Sequence, residues 1–144
     1  MNWKSEALEK LRRYDAMQLA TINIPMELKR LSLDAEAIRS ARTDTISVSC
    51  GNHREDALIN NLIHRQELEN TLQQVRLWLN STDKAMSLLT RDEKLILHRL
   101  FIHPQTGAIE QLCKDLQIEQ STLYRKRDHA LRRFILAFYG ISEA

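Results

Sequence analysis

Glycine and proline are scarce in this 144-residue chain, with three and two copies. No clear period-2 run of apolar residues exceeds a few positions, so little in the chain asks for strands or tight hairpins. The expectation is an all-α protein. Cysteine appears twice, as Cys50 and Cys113, too few for a disulfide framework, and reduced thiols in a cytoplasmic chain are the plain reading. No segment reaches the roughly 18 apolar residues needed to cross a membrane. The first twenty positions hold Glu6, Glu9, Lys10, Arg12, Arg13 and Asp15, which is not the pattern of a signal peptide.

Catalytic and metal signatures are missing too. Five histidines are present, but His98 and His103, like His53 and His64, lack the second pair that a zinc module needs. No glycine-rich phosphate loop, nucleophile elbow or HExxH occurs. Glu55-Asp56 and Asp92-Glu93 are adjacent carboxylates, and neighbours on a helix point about 100° apart rather than converging on a substrate. No metal, no cofactor and no enzymatic activity are expected.

The formal net charge is only +2, so the chain is not a general polycation. The charge is uneven. Between Ser121 and Arg133 stand Arg125, Lys126, Arg127, Arg132 and Arg133 against Asp128 alone, a local +4. That patch lies in the most organised stretch of the sequence, Thr90 to Gly140. Thr90-x-x-Glu93 is a capping box that opens a lead helix, Arg91 to Ile102. Ile109, Leu112, Cys113 and Leu116 fall on one face of a short helix, Ala108 to Gln117. After the turn Gln117-Ile118-Glu119, whose Ile faces the core, a longer helix runs from Gln120 to Tyr139. Leu123, Arg127, Ala130, Leu131 and Phe134 form its core face, with the Arg127 stem along the core and its charge turned outward. Two helices joined by so short a turn follow the helix-turn-helix plan. The recognition helix is then about 120–138, and its candidate DNA contacts are Gln120, Ser121, Thr122, Tyr124, Arg125, Lys126, His129, Arg132 and Arg133: short polar groups for base edges, cations for phosphates. Gln117 stands where such turns often carry Gly, so it must accept a left-handed conformation. Glu119 and Gln120 are weak helix caps.

Upstream, Met1 to Asn23 reads as one helix. A second begins near Pro25 with Ile24, Leu28, Leu31, Ala35 and Ile38 in the 4-3 rhythm of a packed seam, widened by Leu33 and Ala37, and together the two predict a helical hairpin. Ala41 to Asn52 reads as a flexible loop. A long helix from His53 to about Met86 carries Leu68, Leu72, Val75, Leu79, Thr82 and Met86 in the same rhythm, preceded by Leu58, Leu62 and Ile63, with a kink or break expected near Ser81-Thr82. Trp3 and Trp78 read as core anchors, and Arg54 and Arg65 as part of a solvated face. The expected division is residues 1–89 for oligomerisation or partner binding and residues 90–144 for DNA.

The stretch LTRDEKLILHRLFI followed by LCKDLQIEQSTLYRKRDHALRRF resembles region 4 of bacterial sigma factors and the phage regulators built like it. Through LRRYDAMQLATINIPMELKRL, CGNHREDALINNLI and STLYRKRDHALRRFILAFYG, nearly the whole chain resembles the ArpU/RinA group of phage late-transcription regulators. The resemblance implies a phage or prophage protein in a bacterial cytoplasm that binds double-stranded DNA and controls late or lytic genes. It also brings in host RNA polymerase as a partner, because sigma region 4 docks there. The seams leave a homodimer open. The alternatives are an adaptor whose seam does the work and a small DNA-packaging subunit, which also joins a helix-turn-helix to helical oligomerisation.

Overall fold

Proline at position 25 removes one backbone amide and crowds the preceding turn, which ordinarily ends or kinks a helix. The computed structural model, which describes residues 2–41 and 51–142, nevertheless has one helix, α1, from Trp3–Ala41 with Pro25 inside it. The hairpin expected within the first forty residues is therefore not formed. The reason is phase. Ala7, Tyr14, Thr21, Leu28 and Ala35 lie seven apart on the covered side of α1, so the seam runs through the proline without changing face. A continuous covered stripe outweighs one lost hydrogen bond.

Helix α2 spans Gly51–Ser87 and is not broken at Ser81-Thr82. Thr82 is fully buried, and its hydroxyl donates to the Trp78 carbonyl at 2.9 Å, so a polar side chain is satisfied within the helix. Of the flexible loop expected from Ala41 to Asn52, Ala41 closes α1 and Gly51 and Asn52 open α2, and residues 42–50, with TISVS and Cys50, lie outside the described residues. The remaining elements are α3 (Arg91–Leu97), which runs on into a π-helical segment His98–Ile102, then α4 (Ala108–Leu116) and α5 (Gln120–Tyr139). The all-α expectation holds, and no described helix is long and apolar enough to cross a membrane.

Two compact units make up the chain. One combines Met1–Gln18 with Leu77–Ala144 and the other is Leu19–Arg76. This differs from a division at Thr90, because the start of α1 and the end of α2 belong with the C-terminal helices.

The first unit is built on two apolar clusters. Ala7 and Leu11 of α1 bury against Ala85, Leu89, Leu97, Ile102, Ala130, Leu131, Phe134 and Ile135. Trp3 packs at the edge, its ring 4.9 Å from that of Tyr139. Tyr14 donates to Asp83 at 2.5 Å, and burial together with that carboxylate pushes the phenol up to about 12. The second cluster centres on Ile96, Leu112 and Leu123, with Ile109, Cys113, Leu116 and Ile118 packed around them.

The second unit pairs parts of α1 and α2. Leu31, Ala35, Leu72 and Val75 are buried, as the 4-3 rhythm predicts, whereas Leu33 and Ala37, expected to widen that stripe, turn out of its phase and are exposed. Toward the start of α2 the rhythm departs from expectation. Counting back from Leu68 in threes and fours reaches Arg65, Asn61 and Leu58, whereas Leu62 and Ile63 face outward at 48% and 47% exposure. The seam keeps its phase and accepts a buried Asn61, whose amide donates to the Leu31 carbonyl at 2.8 Å and whose oxygen accepts from Arg65 at 2.8 Å. Arg65 is thus half-buried in the seam rather than on a solvated face.

Candidate nucleic-acid interface

The geometry starts at the α3 N-terminus. Thr90 Oγ1 accepts from the Glu93 amide at 3.3 Å, and Glu93 Oε1 accepts from the Thr90 amide at 3.4 Å, so the capping box is complete. Helix α4 ends at Gln117, which is left-handed at φ 55, ψ 47. The Ile118 amide bonds to the Cys113 carbonyl at 3.1 Å and the Gln117 amide to that of Lys114 at 3.3 Å. This pair of bonds is a Schellman motif, and Ile118 and Cys113 on either side of it both pack on the second cluster. That packing offsets the strain of a non-glycine residue in that conformation. Gln117→Gly is therefore expected to raise stability by up to about 1 kcal/mol and Gln117→Val to lower it by more than that; urea unfolding of both variants checks the order.

Helix α5 begins after Glu119, whose side chain makes no capping bond. The first-turn amides are left to water or a ligand. Along α5, Leu123, Ala130, Leu131, Phe134 and Ile135 are buried. Opposite them Ser121, Arg125, His129 and Arg132 form an exposed ridge, with Gln120 exposed at its N-terminal end. Arg125 and Arg132 lie two turns apart, roughly 10 Å along the axis, and neither is in an ion pair among the described residues.

The other expected contacts are flanks of this ridge. Lys126 Nζ is 3.9 Å from Asp92 Oδ2. With Thr122, Arg125 and His129 it lines a cleft of about 400 Å³ whose far wall is Thr90, Asp92 and Glu93. On the opposite flank Tyr124 accepts from Gln120 Nε2 at 2.6 Å. The Arg127 guanidinium sits 4.9 Å over the Tyr124 ring and bonds to Asp128, whose carboxylate also lies 3.9 Å from Lys4.

Arg133 is different. It was expected among the DNA contacts, but its guanidinium turns inward, donating to Glu93 Oε1 at 2.6 Å and to the Leu88 carbonyl at 2.9 Å. Glu93 is buried, so Arg133 neutralises a carboxylate at the base of α3. Sequence inspection merged Arg132 and Arg133 into one run. The separating signal is the helical projection, in which Arg133 shares a stripe with Lys126 and Thr122, facing α3, and Arg132 shares one with Arg125.

No protein-family model, curated protein or solved structure matches the chain. Among the described residues no three His, Cys, Asp or Glu side chains are grouped to hold a metal ion. His98 and His103 stack with ring centroids 5.9 Å apart, and His103 Nδ1 bonds to Asp15. The site is therefore read from its own geometry: a convex, cationic helix face preceded by a short turn and set on a buried apolar base.

Proposed function

We propose that the protein is a DNA-binding transcription regulator of the kind its resemblance to the ArpU/RinA group implies, acting on phage late or lytic genes in a bacterial cytoplasm. Helix α5 lies in the major groove of double-stranded DNA. Gln120 and Ser121 reach base edges from its N-terminal turn, and Arg125 and Arg132 hold phosphates on either side. The observation that carries this reading is the exposed Ser121–Arg125–His129–Arg132 ridge on the second helix of a helix-turn-helix. Lys126 adds a phosphate contact once it leaves Asp92.

Arg125, Lys126 and Arg132 amount to about three neutralised phosphates, a slope of roughly −3 in log K against log salt per copy. So small a charge gives weak binding by one copy, and the remainder comes from a second copy or from attachment to RNA polymerase. The test is binding to random and candidate-promoter duplexes across a salt series. Tight binding to a particular duplex with that slope is the expected result. Failure to bind any duplex at low salt removes DNA contact from the function. Sequence-blind, weak binding transfers the weight to the polymerase-docking reading, which the pairing of Lys126, Arg127 and Arg133 on α5 with carboxylates favours.

A further inference from the structure

A helix with one partner needs one apolar stripe, and α1 has two. Within Leu19–Arg76 its covered stripe is Ile24, Leu28, Leu31, Ala35 and Ile38. On the far side, roughly 160° away at 100° per residue, stand Leu19, Ile22, Met26 and Leu33, exposed by 56%, 61%, 66% and 55%. Leu19, Met26 and Leu33, spaced by seven, are the a positions of a second heptad seam whose d positions are Ile22 and the exposed Lys29. The outward Ile59, Leu62 and Ile63 of α2 cluster within little more than one turn and make no comparable seam.

The a positions of the outer stripe of α1 are self-complementary. Leu19 and Leu33 are each seven residues from Met26, so an antiparallel second copy of α1 centred on Met26 places Leu19 against Leu33 of the other copy at both ends and Met26 against itself. A two-fold interface requires this identity under reversal. Arg30, which falls opposite Ile22 of the other copy, is held by Glu27 at 2.5 Å and Asp34 at 2.8 Å within the same helix, and the exposed Lys29, opposite Asn23, lays its stem over the seam with its ammonium left in water.

Area decides the occupant. Four such side chains offer ~100 Å² of apolar surface each, or roughly 800 Å² over two copies. Homodimer interfaces are about 65% apolar, which scales this to roughly 1,200 Å² in all, the lower end of the stable range.

We infer that the protein is a homodimer closed by antiparallel packing of α1 on α1 about Met26, through Leu19, Ile22, Met26 and Leu33. This deepens the partner side of the proposed function, in which a second copy supplies the missing DNA charge. The interface itself does not depend on DNA.

The test is molecular mass in solution without DNA over a concentration series, for the wild type and for Met26→Glu. The wild type should be a dimer that dissociates on dilution. Met26→Glu, which puts two carboxylates face to face at an exposed position, should be monomeric with unchanged helicity. A wild-type monomer at the highest concentration, or a Met26→Glu dimer as tight as the wild type, overturns the inference. Oxidative cross-linking of single cysteines in a Cys50→Ser, Cys113→Ala background gives a second reading. Met26→Cys should cross-link to itself and Leu19→Cys should not; self-linking at Leu19 with none at Met26 would also overturn it. Because mass and cross-linking are read without DNA, failure here leaves the DNA reading standing, and failure to bind DNA leaves the dimer standing.

Discussion

Replacing Arg125 and Arg132 together with Ala is expected to lower affinity for duplex DNA by at least about tenfold near 0.1 M salt and to flatten the salt slope by about 2. Both guanidiniums stand on the exposed side of α5 without a carboxylate partner among the described residues, so neither is committed elsewhere in the fold. Removing them touches no core contact, and the melting temperature should move little. The loss should be similar for all sequences, because phosphate contacts position the helix without reading bases. Replacing Gln120 and Ser121 should instead reduce discrimination between duplexes and leave the salt slope as it was. Titrations of the variants at several salt concentrations separate these outcomes. An unchanged slope in the double arginine variant would mean that α5 does not face phosphates.

Arg133→Met should do the opposite, sparing the salt slope and destabilising the fold. The substitution keeps the apolar stem and removes the charge, leaving Glu93 Oε1 without its strongest partner in a buried position where Oε2 already lacks one. Breaking a buried pair on one side costs about 3–5 kcal/mol. The Arg133 side chain is 32% exposed, so a value of about 2–3 kcal/mol is expected after allowance for solvent screening. For a chain of this size that is a drop of roughly 4–12 °C in melting temperature. Adding Glu93→Gln should recover part of the loss, since a neutral amide is less costly to bury unpaired than a carboxylate. Thermal unfolding of the single and double variants measures the coupling directly.

The contrast between Arg132 and Arg133 shows what the sequence can and cannot reveal. Hydrophobic rhythm is a local property of one helix, and it located the covered positions of α4, most of those of α5 and α2, and Leu28, Leu31, Ala35 and Ile38 of α1, while missing the buried Ala7 and Ile135 and the outward Leu33. The capping box at Thr90 was legible because both of its bonds join residues three apart. Pro25 misled because its effect depends on whether a partner covers the helix on both sides of it, which is long-range information. Leu62 and Ile63 misled for a related reason. Apolar character suggested they were inward, but the phase set by Leu68, Leu72 and Val75 places Asn61 there, and only the Leu31 carbonyl across the pair makes that acceptable. Arg133 meets Glu93 forty positions away, so a cation run cannot show which of its members is committed to the fold.

The cluster around Ala7 and Leu11 also carries a consequence for biosynthesis. These residues leave the ribosome well before their covering side chains Phe134 and Ile135, which lie more than 120 positions downstream. At about 5–20 residues per second, the start of α1 waits roughly 6–25 s for the last helix. Until then Ala7 and Leu11 lack the α5 part of their native cover, which is a window for chaperone capture or for association between nascent chains. Truncation before Phe134 would make the window permanent, and the cost of losing α5 would then fall on the opposite end of the polypeptide.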